Sequence, residues 1–332
     1  MKSDLTQLFV KIDCIDYHLP NNIETADTLL KENPDWVLDD IKVKTGINTR
    51  YISDINETAL DLGVKAAEKL FLKNDFQSKV DAIIFVTQSP DYLLPTSACI
   101  IQDKLKLSTN CIAFDVNQGC SGFIYGLALS SSLITAQLAK NVLLICSDTY
   151  TKYIDKHDRT CRPIFSDGAA ACIISLSSTP CIGPFELGTD GGGALNLIVK
   201  NSAARISSKQ DYIKNKLFMD GSKVFMFSMN SVPDCVKNLL NKAKKKMNEI
   251  DLFIFHQASK IVIDNIIRHL NLPKEKVFCN YSRVGNTVSA SIPIALKDSI
   301  NEGILKSGDL VMVIGFGVGY SWGATLVQWG DK

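Results

Sequence analysis

Residues 111–134 read CIAFDVNQGCSGFIYGLALSSSLI, and three patterns follow one another there without a gap. Cys111 to Asp115 is a short apolar run of the kind that forms a strand buried on both faces. A Gly-Cys-Ser-Gly turn follows, and from Ser121 onward the spacing is that of a long helix. Strand, tight turn and helix make up the repeating unit of α/β proteins. The unit recurs outward along the chain. Strands are expected at AIIFV (82–86), VLLIC (142–146), AACIISL (170–176), LFIF (252–255) and LVMVIG (310–315). Helical patterns lie at 58–72, 121–138, 232–246, 260–270 and 292–303, so the predicted class is α/β, with helices covering a mixed sheet.

Composition bounds what such a chain can do. Its 332 residues are 46% hydrophobic and 21% charged, too apolar for disorder and long enough for two domains or one large fold in two halves. Thirty-six basic against 35 acidic side chains leave a formal charge of +1, so no global field draws the chain to nucleic acid or anionic lipid. The opening MKSDLTQLFVKIDCIDYHLP carries acids and a histidine where a secretory leader would need an apolar stretch. No segment approaches the roughly 18 consecutive apolar residues of a membrane helix, and the expectation is a cytoplasmic, unanchored protein. Of the ten cysteines several sit inside apolar runs, and none has another within four residues; reduced thiols are expected and structural zinc is not. The turn formers SSTPCIG (177–183) mark a seam between halves, and the polar stretch 201–216 reads as an exposed loop or short helix.

Chemistry concentrates at the Gly-Cys-Ser-Gly turn. Glycines on both sides of Cys120 permit a sharp bend and a close substrate approach, as in a nucleophile elbow, and a helix N-terminus favours thiolate over thiol. Cys120 is therefore the candidate nucleophile, although a cysteine in such a chain is more often a packing residue. In LFIFHQAS, His256 emerges from the carboxyl end of a buried strand, where it can act on protons. In RVGNTVSASIPIAL, Asn286 stands in a turn before a helix with Pro293 near its start; alone it would read as a cap. His18 and His157, in polar loop-like stretches, and His269, near a helix end, suit solvated or capping roles. The glycine-rich DGGGALNL (190–197) and GFGVGYSWG (315–323) are not nucleotide cradles, because the second runs into a strand and neither is followed by Gly-Lys-Ser or Gly-Lys-Thr. A Gly-Val-Gly loop after a buried strand is better suited to offering a free backbone N–H to an oxyanion.

With their flanks, GCSGFIYGLA, FHQAS, GNTVSASIPIAL and GFGVGYSWGA, these residues resemble the β-ketoacyl-acyl carrier protein synthase III family of the thiolase superfamily. Further matching segments are WVLDDIKVKTGI (36–47), LPTSACIIQ (94–102), FSDGAAA (165–171) and MDGSKVF (219–225), so the resemblance extends through most of the chain. It implies a five-layer αβαβα fold of two similar halves, 1–178 with the cysteine and 179–332 with the histidine and asparagine. It also implies a homodimer, and an active site at the junction of the halves. The implied reaction moves an acyl group from an acyl-CoA thioester to Cys120, then condenses it with malonyl-acyl carrier protein as carbon dioxide leaves. The backbone N–H groups of Cys120 and Val318 would form the oxyanion hole, and His256 and Asn286 would stabilise the enolate. Trp36 and Arg159 would flank the adenine of coenzyme A. No metal and no cofactor is implied beyond the coenzyme A and carrier-protein thioesters that are substrates.

Departures from the family pattern carry their own expectations. Leu94 replaces an aromatic residue that reaches across the dimer, and its smaller size suggests a longer or branched acyl group. Ser259 replaces an amide lining the pantetheine channel. Arg268 keeps a cation on the carrier-docking face, whereas Met226 and Ile261 stand where basic residues are common; the lysines at 242–246 read as a solvated helix face. The alternative within the superfamily is acyl transfer from Cys120 to a hydroxyl or amine of a sugar or natural product. A cysteine hydrolase using Cys, His and Asn is the alternative outside it.

Overall fold

The apolar runs become strands because each is long enough to cross a sheet and has no polar face to expose. The computed structural model describes residues 8–205 and 216–330; of the polar stretch 201–216, all but its two ends lies outside them. The first sheet contains β1 (Phe9–His18), β4 (Ala82–Val86), β5 (Ile112–Val116), β6 (Asn141–Asp148) and β7 (Gly168–Ser177), in the order β1-β7-β6-β4-β5. β4, β5 and β6 run parallel, and β7 is antiparallel to both β6 and β1. A hairpin of β2 (Asn22–Thr25) and β3 (Thr49–Ile52) stands apart, as does the pair β9 (Leu197–Val199) and β10 (Leu217–Met219). The second sheet is β11-β12-β13-β8, with β8 at Ile182–Thr189, β11 at Leu252–Phe255, β12 at Leu310–Gly317 and β13 at Ser321–Gln328. A parallel bridge from Phe253 to Val277 extends it beyond β11, so its order repeats that of the first sheet.

The helices are α1 (Ala26–Glu32), α2 (Leu38–Thr45), α3 (Ala59–Phe71), α4 (Ser97–Lys104), α5 (Gly122–Thr135), α6 (Gly221–Ala243), α7 (Lys260–His269), α8 (Tyr281–Val284) and α9 (Ser291–Asn301). Alternate side chains of each strand point to opposite faces, and the core divides accordingly. Ile83, Phe85, Leu143, Ile145 and Ala171 pack under α3 and α4. Ile84, Val86, Leu144 and Ala170 face the other way, onto Phe123, Ile124 and Leu127 of α5 and Ile292, Ile294 and Ala295 of α9, which also meet Ile254, Val311 and Val313 of the second sheet. Phe253, Phe255, Met312 and Ile314 are covered by α6 and α7. The result is helix, sheet, helix, sheet, helix: five layers.

Several expectations are corrected. β5 is half-buried, not buried on both faces, because it lies at the sheet edge and pairs only with β4. α6 starts eleven residues before the expected 232, where the Asp220 side chain caps it by accepting from the Lys223 N–H at 3.1 Å, and it runs on through Pro233. His18, expected in a polar loop-like stretch, instead ends the strand β1, where Asp16 is held by Lys69 and Lys73. β7 ends at Ser177 and β8 begins at Ile182, inside the seam of turn formers. All ten cysteines are free thiols.

Candidate active site

β5 delivers the chain into the turn Asn117–Ser121, and α5 leaves from it with Cys120 two residues before the first helical residue. Neither Gly119 nor Gly122 has positive φ, so the sharp bend is not what requires them. Crowding is. A Cβ on Gly122 would stand 2.5 Å from Val86, and one on Gly119 would run into Gln88 and Val318. On the far side Gly317 has the same task, since a Cβ there would lie 2.6 Å from the Cys120 sulfur. The Cys120 side chain thus lies directly against the Gly317 backbone.

β11 delivers His256, whose N–H continues the strand ladder to the Ile314 carbonyl at 2.7 Å. Gln257 locks the next turn by accepting from the N–H groups of Asn280 and Tyr281. The imidazole is fully buried, and this pushes its pKa down to about 3, so the ring is neutral. Its Nδ1 lies 2.7 Å from Ser291 Oγ, and Phe316 stands edge-to-face against it at 5.7 Å.

Asn286 is held by the other half of the chain. Its N–H donates to the Ile164 carbonyl at 3.0 Å and its carbonyl accepts from Ser166 at 2.8 Å. Gly285 precedes it at φ +77°, and a Cβ there would meet Ser166 at 2.8 Å. The side-chain Oδ1 accepts from the Val288 N–H at 2.9 Å, which leaves the Nδ2 protons as what this amide can offer the cavity it lines. Nearby, buried Asp148 accepts from the Ser289 hydroxyl and N–H and from the Gln88 N–H, fastening the loop after Asn286 to the end of β6. Burial pushes the Asp148 carboxyl up to about 7 against these donors.

Cys120, His256 and Asn286 converge on one cavity of about 930 Å³, walled also by Phe165, Leu197, Met219 and Val224. Burial, with the Asp148 charge adding to it, pushes the Cys120 thiol up to about 12, the direction opposite to the one expected from a helix terminus. Opposing the burial, the backbone N–H groups of Val318 and of Cys120 itself point at the sulfur, a pair of donors that an acyl oxyanion could use. Of the outer residues, Arg159 and Ser259 line the cavity, together with Met226 and Ile261 at its exposed rim. Trp36 and Leu94 do not. Trp36 is buried away from the wall, where Ile41, Lys44 and Thr45 of the same segment stand instead, and Leu94 is 82% exposed at the surface. The lysine cluster is solvated, with Lys242 paired to Glu186 and Lys245 to Glu249. Among the described residues no group of three or more His, Cys, Asp and Glu is arranged to hold a metal.

Ser291, Phe316 and the Asp148–Ser289 latch escaped the reading of the sequence. Ser291 and Ser289 lie inside a quoted motif, but nothing about a serine in a helical pattern says which side chain it will meet.

Two family descriptions match the chain: 3-oxoacyl-[acyl-carrier-protein] synthase III over residues 114–191 and its C-terminal part over residues 240–329. A β-ketoacyl-[acyl-carrier-protein] synthase III of Clostridium perfringens is 36% identical over 318 residues, covering 94% of this chain and 96% of the relative. The chain belongs to the β-ketoacyl-[acyl-carrier-protein] synthase III family. Solved structures agree with the membership. A crystal structure of a 3-oxoacyl-(acyl-carrier-protein) synthase III superposes with a TM-score of 0.92 at 39% identity, covering 97% of this chain and 100% of that one. The 3-oxoacyl-(acyl carrier protein) synthase III of Pseudomonas aeruginosa PAO1 superposes at 0.89 with 30% identity, covering 97% and 99%. The five layers are therefore the thiolase-like fold of this family.

Proposed function

We propose that this chain joins an acyl group, taken from acyl-coenzyme A onto Cys120, to malonyl-acyl carrier protein, giving a 3-oxoacyl-acyl carrier protein. Family membership makes it an acyl-transferring condensing enzyme, and the assignment of steps to residues rests on the cavity. In the first half-reaction the Cys120 sulfur attacks the thioester carbonyl, and the oxyanion is held by the N–H groups of Cys120 and Val318 while coenzyme A leaves as the thiol. In the second, the malonyl carbon–carbon bond breaks and carbon dioxide departs. The electron pair passes onto the thioester oxygen, which His256 and Asn286 hold as an enolate. The enolate carbon attacks the acyl-Cys120 carbonyl, and collapse of that adduct returns the cysteine sulfur.

The single observation that carries this reading is the Asn286 amide, whose oxygen is occupied by Val288 so that its protons are free to donate. An acyltransferase working on a hydroxyl or amine needs no such donor beside its base. Arg159 and Ser259, on the cavity wall, serve the coenzyme A and pantetheine arm. The two halves, 1–178 and 179–332, each supply one side of the site. A cytoplasmic homodimer completes the reading, supported by the free edge of β5 and the consecutive exposed Tyr92, Leu93 and Leu94.

The experiment supplies acyl-coenzyme A donors of graded chain length and malonyl-acyl carrier protein, and follows intact mass and carbon dioxide in parallel. Wild type is expected to carry the acyl adduct and release carbon dioxide with a 3-oxoacyl-carrier product, and Cys120→Ala to carry none. An adduct that resolves only onto a hydroxyl or amine acceptor, without decarboxylation, would replace condensation by simple acyl transfer.

A further inference from the structure

Ser291 is the first residue of α9, buried to 2% exposure beside an equally buried His256. Several serines in the interior of helices turn back on their own backbone: Ser130 donates to the Gly126 carbonyl, Ser131 to Leu127 and Ser228 to Val224, each at 2.8 Å. Ser291 breaks that habit. Its hydroxyl is spent on His256 Nδ1 at 2.7 Å, and the structure gives it no other partner among the described residues.

The direction of this bond follows from which atom would otherwise be stranded. A neutral imidazole carries one N–H. If it sat on Nδ1 and donated to Ser291, the serine proton would be buried without an acceptor, and Nε2 would face the cavity as a bare lone pair. If Ser291 donates, every proton in the pair is used and only an oxygen lone pair goes unfilled, which is the cheaper outcome in a dry site.

We propose that Ser291 is a positioning residue that donates its hydroxyl proton to His256 Nδ1, fixing the tautomer whose only N–H, on Nε2, serves the malonyl thioester oxygen. The inference rests on the condensing function proposed above. It makes His256 a donor matched to the Asn286 amide, and because Asn286 lies five residues before Ser291, one stretch of chain aims both groups. It also excludes His256 as the resting base for Cys120, because Nε2 is already protonated.

The test uses the intact enzyme labelled with ¹⁵N-histidine, the His256 resonances being assigned by their loss in His256→Ala. Wild type is expected to show a bare Nδ1 and a protonated Nε2. Ser291→Ala is expected to form acyl-Cys120 at the wild-type rate and to lose about 10–100-fold in carbon dioxide release, less than the roughly 10²–10³ for deleting a donor outright. A protonated Nδ1 on His256 in wild type overturns the proposal whatever Ser291→Ala does. Equal slowing of both half-reactions, or of neither, in Ser291→Ala overturns it as well. If wild type forms acyl-Cys120 but releases no carbon dioxide, the condensing function fails, while the tautomer measurement still decides the role of Ser291.

Discussion

Cys120 illustrates how two opposing local effects are settled by burial. The helix terminus and the N–H of Val318 favour its thiolate, yet removal from water dominates and holds the thiol up to about 12. Since the folded thiol titrates far above an ordinary cysteine at about 8.5, alkylation of the substrate-free enzyme by iodoacetamide should climb about tenfold per pH unit from 7 to 10 without levelling. A plateau near pH 8 would mean that the site activates its thiol at rest. His256 behaves oppositely: burial pushes it down to about 3, so it stays neutral through the working range. Decarboxylation by the pre-acylated enzyme should therefore lack the step that an ordinary histidine imposes at about 6.5, the buried Asp148 carboxyl, up at about 7, being the group beside the site that titrates in this range. Replacing Asn286 by Ala should cost about 10²–10³ in that same step and leave acylation of Cys120 intact, as judged by intact mass. Loss of both half-reactions would place Asn286 in the scaffold instead.

Among the elements, the hairpin between β12 and β13 does more than close a sheet. It brings Gly317 against the Cys120 side chain, with room for a hydrogen and nothing larger. Gly317→Ala would force the sulfur or the loop aside; misplacements of about 1 Å cost on the order of 10²-fold in rate. The expected result is a folded protein, by circular dichroism and melting temperature, whose acyl adduct forms about 100-fold more slowly. Unchanged acylation would show that the hairpin yields freely. Helix α5 was legible because its apolar face repeats at helical spacing, whereas the start of α6 was not, because Pro233 and the polar residues before it resemble a boundary. The helix runs on through Pro233 with Phe227, Val232 and Val236 buried in the core beside the second sheet, a burial that no local pattern reveals.

On the scale of the whole molecule, segments far apart in sequence meet at the site itself: Asn286 is bridged to Ile164 and Ser166, and Ser289 to Asp148. Away from these contacts, β5 pairs on one side only among the described residues, and Tyr92, Leu93 and Leu94 are exposed in succession. Sedimentation should accordingly give a particle of twice the 36.5 kDa chain mass, and Leu93→Asp with Leu94→Asp should shift it toward the single chain. A monomeric wild type would sink the dimer and with it the expectation that Leu94 shapes a partner's acyl pocket.

The strand runs, the Gly-Cys-Ser-Gly turn and the ordered FHQAS and GNT motifs were readable before any coordinates, because burial periodicity and turn chemistry are local and leave their mark in neighbouring residues. That was enough for the α/β class, the family and the three residues the cavity gathers. Other features depend on which distant atoms come to lie together. The edge position of β5, the withdrawal of Trp36 from the cavity wall, the burial of the His256 ring and of the Cys120 thiol, and the turning of Ser291 toward His256 depend on which distant segments pack together. Solvent exclusion and hydrogen-bond direction arise only once those layers have packed, so a chain read one residue after another does not contain them.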